Sequence, residues 1–133
     1  MSTNTMTVEV VSPEQILYSG EATMVITRTL SGEIAFLPGH AAFVGALNEN
    51  HTRVYLADGS IEDIAVHGGF VEVSNNKVSI LSDSAELGSK IDVERARAAK
   101  ERAELRLRNE HDAEAISSLS RANARLTAAR ATL

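Results

Sequence analysis

The chain changes its building material at one place, near Gly88–Lys90, and that break limits the possible folds more than any single motif. All five aromatics (Tyr18, Phe36, Phe43, Tyr55 and Phe70) precede it, and eleven alanines follow it within residues 91–133. Charge divides at the same point: residues 1–90 hold 4 Lys+Arg against 11 Asp+Glu, and residues 91–133 hold 9 against 7. Two different objects are expected, residues 1–88 and residues 89–133. At 133 residues, 44% apolar and 23% charged, the chain suits one folded domain with an appendage and excludes a large multidomain enzyme.

The first unit reads as short strands joined by turns. Residues 8–11, 23–30, 33–37, 53–57, 60–66, 70–74 and 77–81 are β-branched-rich runs. Several alternate with a period of two, as in Met24, Ile26 and Leu30 against Thr23, Thr27 and Thr29, or Val78 and Ile80 against Lys77 and Ser79. Asp58-Gly59 suits a two-residue hairpin turn, and Ser31-Gly32 and Asn75-Asn76 are weaker versions of that signal. Many short strands at regular spacing predict a sandwich or barrel.

The second unit reads as an antiparallel helical hairpin. No Gly or Pro occurs from Asp92 to Arg108, and Ala96, Ala99, Ala103 and Leu107 recur at helical steps. A polar break at residues 109–112 precedes a second series, Leu119, Ala122, Leu126, Ala129 and Leu133. Each alanine removes little apolar surface from water, at about 25 cal/mol per Å², so the hairpin is expected to depend on docking for its stability.

The chemistry available is narrow. With no cysteine there is no disulfide framework, zinc ribbon or thiol nucleophile. The four histidines, His40, His51, His67 and His111, lack metal-binding spacing and read as surface or turn residues. Neither GxxxxGKS nor GxGxxG is present, so no phosphate-cradling loop of a nucleotide-hydrolysing enzyme is expected. A second unit of net charge +2 without aromatics is a poor nucleic-acid footprint. No apolar run approaches the ~18 residues that cross a bilayer, and the polar start does not resemble a signal peptide; a cytosolic or peripheral protein is expected. Asp92 reads as a helix N-cap, Glu94 as a complement to the helix dipole, and the arginines of the second unit as a solvated face or an anion site.

Three collinear motifs carry a resemblance. Residues 32–40 (GEIAFLPGH), 67–73 (HGGFVEV) and 91–96 (IDVERA), with the opening VEVVSPE at 8–14, resemble the epsilon subunit of bacterial F-type ATP synthase. The resemblance implies a β-sandwich of about ten strands followed by a mobile two-helix hairpin. It implies a non-catalytic rotor subunit of a proton-translocating enzyme, peripheral on the cytoplasmic face of the cell membrane. The sandwich would grip the gamma subunit and the c-subunit ring, with Glu33 and His40 facing the ring. The helices would fold on the sandwich or extend along gamma towards the alpha and beta subunits and impede ATP hydrolysis. A purely structural coupling subunit, without nucleotide-responsive inhibition, is the alternative.

The resemblance also implies ATP as a regulatory ligand and no required cofactor or metal. Ile91, Asp92, Arg95 and Ala96 match the family's first-helix motif, Arg121 and Arg125 match second-helix positions, and Glu86 falls at a ligand position just before the motif. Two departures weaken the match: Glu114 stands where tight binders have another arginine, and the hairpin loop is shorter by about a helical turn. The competing reading is that Asp92 only caps and that the arginines only solvate the hairpin.

Overall fold

The computed structural model describes residues 4–109 and 112–131. Among them ten strands form two five-stranded sheets, followed by two helices. The first sheet takes β1 (Met6–Val11), β2 (Ile16–Ala22), β5 (Phe43–Ala46), β8 (Phe70–Ser74) and β9 (Lys77–Leu81) in the order β2-β1-β9-β8-β5. The second takes β3 (Met24–Thr29), β4 (Gly32–Phe36), β6 (Glu49–Tyr55), β7 (Ile61–His67) and β10 (Ala85–Leu87) in the order β10-β7-β6-β3-β4. β1 and β9 pair in parallel, and the other named pairs are antiparallel.

The two sheets form a β-sandwich, and their facing sides supply its core. Val8, Val10, Val71, Val78 and Ile80 come from one sheet, and Val25, Phe36, Val54, Ile64 and Val66 from the other, all fully buried. On β9 the alternation is as expected, with Val78 and Ile80 inside. On β3 it is the reverse of the expected one: Val25, Thr27 and Thr29 are buried, while Met24 and Ile26 face outward and Leu30 is exposed. The threonines are accommodated because Thr27 Oγ1 lies 2.8 Å from Thr52 Oγ1, and both hydroxyls hydrogen-bond Asn50 Oδ1. A buried hydroxyl with partners is tolerated where an unpaired one is not, so polar type alone misplaced this face.

The turns also differ from expectation. Asn75 and Asn76 both have positive φ and close the two-residue loop between β8 and β9. The Thr29↔Gly32 pair closes another two-residue loop, over Leu30 and Ser31, with Gly32 at φ 123°. Asp58-Gly59 belongs to a longer connection, closed by Leu56 N–H on Ser60 O at 2.9 Å, because Asp58 Oδ1 accepts the Ser60 amide and organises a local turn.

A 3-10 turn over Gly88–Lys90 leads into α1 (Val93–Asn109), and α2 (Ala113–Ala128) returns antiparallel. α1 packs on α2, and α2 lies across β6 and β7. Of the seven helical residues that are buried, six are alanines and the other is Leu126. Ala96 and Ala103 hold the expected seam on α1, with Ala99 and Leu107 half-buried. Ala122 and Leu126 do so on α2, where Leu133 lies outside the described residues. Ala115, Ala124 and Ala128 widen the buried stripe of α2 beyond the expected seam, because this helix has a sheet on one side and α1 on the other.

Gly88 sets how closely the hairpin approaches: a Cβ there would stand 2.2 Å from the Ala128 carbonyl oxygen and 3.0 Å from that of Asp63. Gly88→Ala is therefore expected to strip hydrogen-exchange protection from α2 while β8 and β9 keep theirs. Gly59→Ala, with open space but φ +90°, is expected to cost only about 1 kcal/mol in denaturant unfolding, without releasing the hairpin.

Candidate functional site

Where the sandwich passes into the hairpin, a cleft of about 520 Å³ opens between β10 and the facing sides of α1 and α2. Glu86 comes from β10, Lys90 from the 3-10 turn, and Ile91 and Asp92 from the α1 entry. Arg95, Ala99 and Arg102 follow at steps of 4 and 3, so helical periodicity puts them on one side of α1. Ser118, Arg121 and Arg125 do the same on α2. All seven residues singled out by resemblance, Glu86, Ile91, Asp92, Arg95, Ala96, Arg121 and Arg125, line this one cleft.

The cleft is cationic: Lys90, Arg95, Arg102, Arg121 and Arg125 face it against Glu86 and Asp92. Lys90 and Arg102 were not anticipated. Arg102 was findable, two turns beyond Arg95 on the same helix side, whereas Lys90 sits in a turn without periodicity. Asp92 accepts the Arg95 amide at 3.1 Å on Oδ1 and caps the helix start. Arg125 Nε donates to Glu86 Oε1 at 2.6 Å. Arg121 Nη2 donates to Glu114 Oε1 at 2.9 Å and to Ser118 Oγ at 3.1 Å, so Glu114 neutralises one of the second-helix arginines. Among the described residues, Lys90, Arg95 and Arg102 have no carboxylate within 4.0 Å.

A second fastening lies just past the same, C-terminal end of α2. Arg130, left-handed at φ 56° just past the helix, donates to both oxygens of Asp63 on β7, at 2.8 and 3.3 Å. Burial raises the Glu86 carboxyl, but Arg125, helped by His67, outweighs it and holds the group below its ordinary value. Asp63 behaves alike: burial raises it, and the hydrogen bonds of Arg130 and His51 bring it below the usual range.

The histidines are less peripheral than expected. His67 is buried on β7, with Nδ1 2.9 Å from Glu49 and Nε2 3.4 Å from Glu86. His51 Nε2 lies 2.6 Å from Asp63 Oδ1. His40 stacks edge-on against Phe36, ring centroids 5.0 Å apart, beyond the end of β4. His111 lies outside the described residues. Glu33, near the start of β4, pairs with Arg53 at 2.9 Å and lines a separate cleft between the sheet and α2. The structure thus places Glu33 and His40 at opposite ends of β4. Among the described residues no group of three His, Asp or Glu side chains is arranged to hold a metal ion.

A ten-stranded sandwich with a helical hairpin docked through ion pairs defines a two-part protein with a cationic cleft at its joint. Residues 5–88 match the family described as "ATP synthase, Delta/Epsilon chain, beta-sandwich domain", and residues 89–130 match "ATP synthase, Delta/Epsilon chain, long alpha-helix domain". The chain is 47% identical over 129 residues to the ATP synthase epsilon chain of Desulfitobacterium hafniense strain Y51, covering 95% of this chain and 97% of that one. It is 52% identical over 102 residues to the epsilon chain of Brevibacillus brevis, covering 77% of each. The chain belongs to the ATP synthase delta/epsilon chain family. The fold is shared with a chain in the Euglena gracilis mitochondrial ATP synthase OSCP/F1/c-ring structure, at TM-score 0.82 and 22% identity, covering 96% of this chain and 82% of that one.

The depressed carboxyls fix a pH dependence. Because Glu86 and Asp63 ionise more readily when docked, the stability they lend to docking is present above the ordinary carboxylate range and is lost as pH falls through their folded values. The hairpin is expected to lose hydrogen-exchange protection below about pH 4, and Glu86→Gln to flatten part of that loss.

Proposed function

We propose that this chain is a non-catalytic central-stalk subunit of a proton-translocating ATP synthase, peripheral at the cytoplasmic face of the membrane. Its sandwich couples gamma to the c-subunit ring. Its hairpin leaves the sandwich to extend towards the alpha and beta subunits, where it restrains ATP hydrolysis. The observation that carries this reading is the docking of the hairpin, held by six buried alanines, Leu126 and two arginine–carboxylate pairs outside the sandwich's own core cluster. An element held this way is separable from a sandwich that keeps its own core. No described helix is long and apolar enough to cross a membrane.

ATP acts in this reading as a ligand of the docked hairpin, never as a substrate. Lys90, Arg95 and Arg102, with no carboxylate within 4.0 Å among the described residues, offer cations to a polyphosphate, and Ile91, Ala96 and Ala99 give the cleft an apolar wall for a flat heteroaromatic ring. One observation favours the purely structural alternative: Arg121 and Arg125 are already engaged by Glu114 and Glu86. Calorimetry on the isolated chain separates the two readings. Heat of ATP binding that is lost in Arg95→Ala and Arg121→Ala supports the ligand role, and no heat at millimolar ATP leaves the structural one.

Truncation after Lys90 tests the restraint. The sandwich is expected to fold and assemble, with ATP hydrolysis by the reconstituted complex equal or higher; a fall in hydrolysis with assembly intact contradicts an inhibitory hairpin. For the ring contact, Glu33→Ala and His40→Ala are expected to impair assembly or proton-coupled synthesis in reconstituted enzyme, and unchanged behaviour in both refutes that assignment.

A further inference from the structure

Both arginines that fasten α2 to the sandwich are received by carboxylates that also touch a histidine. Glu86 receives Arg125 and stands 3.4 Å from His67 Nε2, whose Nδ1 faces Glu49 at 2.9 Å. Asp63 receives Arg130 and stands 2.6 Å from His51 Nε2. An ionised carboxylate only accepts hydrogen bonds, and a neutral imidazole carries one N–H. A neutral His67 therefore donates from one ring nitrogen only, and the shorter contact is the one to Glu49; the 3.4 Å approach to Glu86 gains a donor when the second nitrogen takes up a proton.

We propose that His67 and His51 are positioning residues of the hairpin latch, and that proton uptake by them loosens Arg125 from Glu86 and Arg130 from Asp63 and releases the hairpin. With neutral imidazoles, each arginine is the main counter-charge of a partly buried carboxylate, and its departure strands that charge. An imidazolium supplies a second counter-charge, and it repels the guanidinium across the shared carboxylate. By linkage, what protonation does to docking, docking does in reverse to protonation.

The other charged neighbours do not change on release. His67 is faced by Glu49 from β6 and Glu86 from β10, with Asp83 beside the adjoining Gly68. His51 is faced by Asp63 from β7, and shares its cleft with Glu49, Arg28 and the Arg53–Glu33 pair. All of these belong to the sandwich and stay with it. Only Arg125 and Arg130 leave, so the sign of the effect follows from them.

The inference rests on the hairpin mobility proposed above and is independent of ATP. Because the sequence has no cysteine, Lys77→Cys and Asn109→Cys give unique positions for a donor–acceptor dye pair on the full chain. Arg125→Gln with Arg130→Gln should give the undocked signal; if it does not, the mobility reading fails. In the otherwise native chain, the docked-to-undocked ratio is expected to fall about fivefold or more from about pH 8 to about pH 5.5. His51→Gln with His67→Gln should flatten this response and leave the loss below about pH 4. His51→Gln alone, outside the sandwich core, should remove part of it and serves if the double variant does not fold. A ratio that is constant or rises with acid, or a response unchanged in the histidine variants, overturns the proposal even where the arginine variant undocks.

Discussion

The position of the hairpin depends on a polar contact, the reception of Arg125 and Arg130 by Glu86 and Asp63. Buried alanines give α2 close approach to the sheet and to α1 but remove little apolar area from water. The ion pairs then decide where the helix sits. Undocking would leave Glu86 and Asp63 partly buried without their counter-charges, so the pairs oppose release as well as fixing geometry. Hydrophobic burial holds the sandwich, and charge placement holds the hairpin on it.

That arrangement also creates the cleft. Glu86 and Arg125 are at once the latch and part of the cleft wall, and Arg95 and Arg102 reach the cleft from α1. A polyanion in the cleft would meet cations from three elements and would bind the docked arrangement in preference to an open one, which is the condition for shifting a conformational equilibrium. Glu114 works against this by engaging Arg121 from within the same helix. The acidity of the first unit and the basicity of the second, visible in composition alone, reappear as carboxylates on the sheet and arginines at the C-terminal end of α2.

Much of this was legible in the sequence because it follows from periodicity and composition. The division of material near Gly88, the helical seams through Ala96, Ala103, Ala122 and Leu126, and the inward Val78 and Ile80 all follow from burial at periods of 3.6 or 2. The illegible parts depend on partners far away in the chain. The three strands missed by pattern are β2, interrupted by Ser19 and Gly20, β5, which contains Gly45, and β10, only three residues long. The inward Thr27 needed Asn50 and Thr52, more than twenty residues away, and the buried His67 needed Glu49 and Glu86. The cleft residues reached by resemblance lie together in space, and Lys90, Ala99, Arg102 and Ser118 line the cleft beside them.

If charge holds the hairpin to a sandwich with its own core, native-state hydrogen exchange on the isolated chain at rising ionic strength will separate the two units. The α1 and α2 amides are expected to open with a lower free energy than those of β1, β8 and β9, and added salt to lower hairpin protection while the strand values hold. Helices and strands that open together as one unit, with protection indifferent to salt, would contradict a charge-held hairpin.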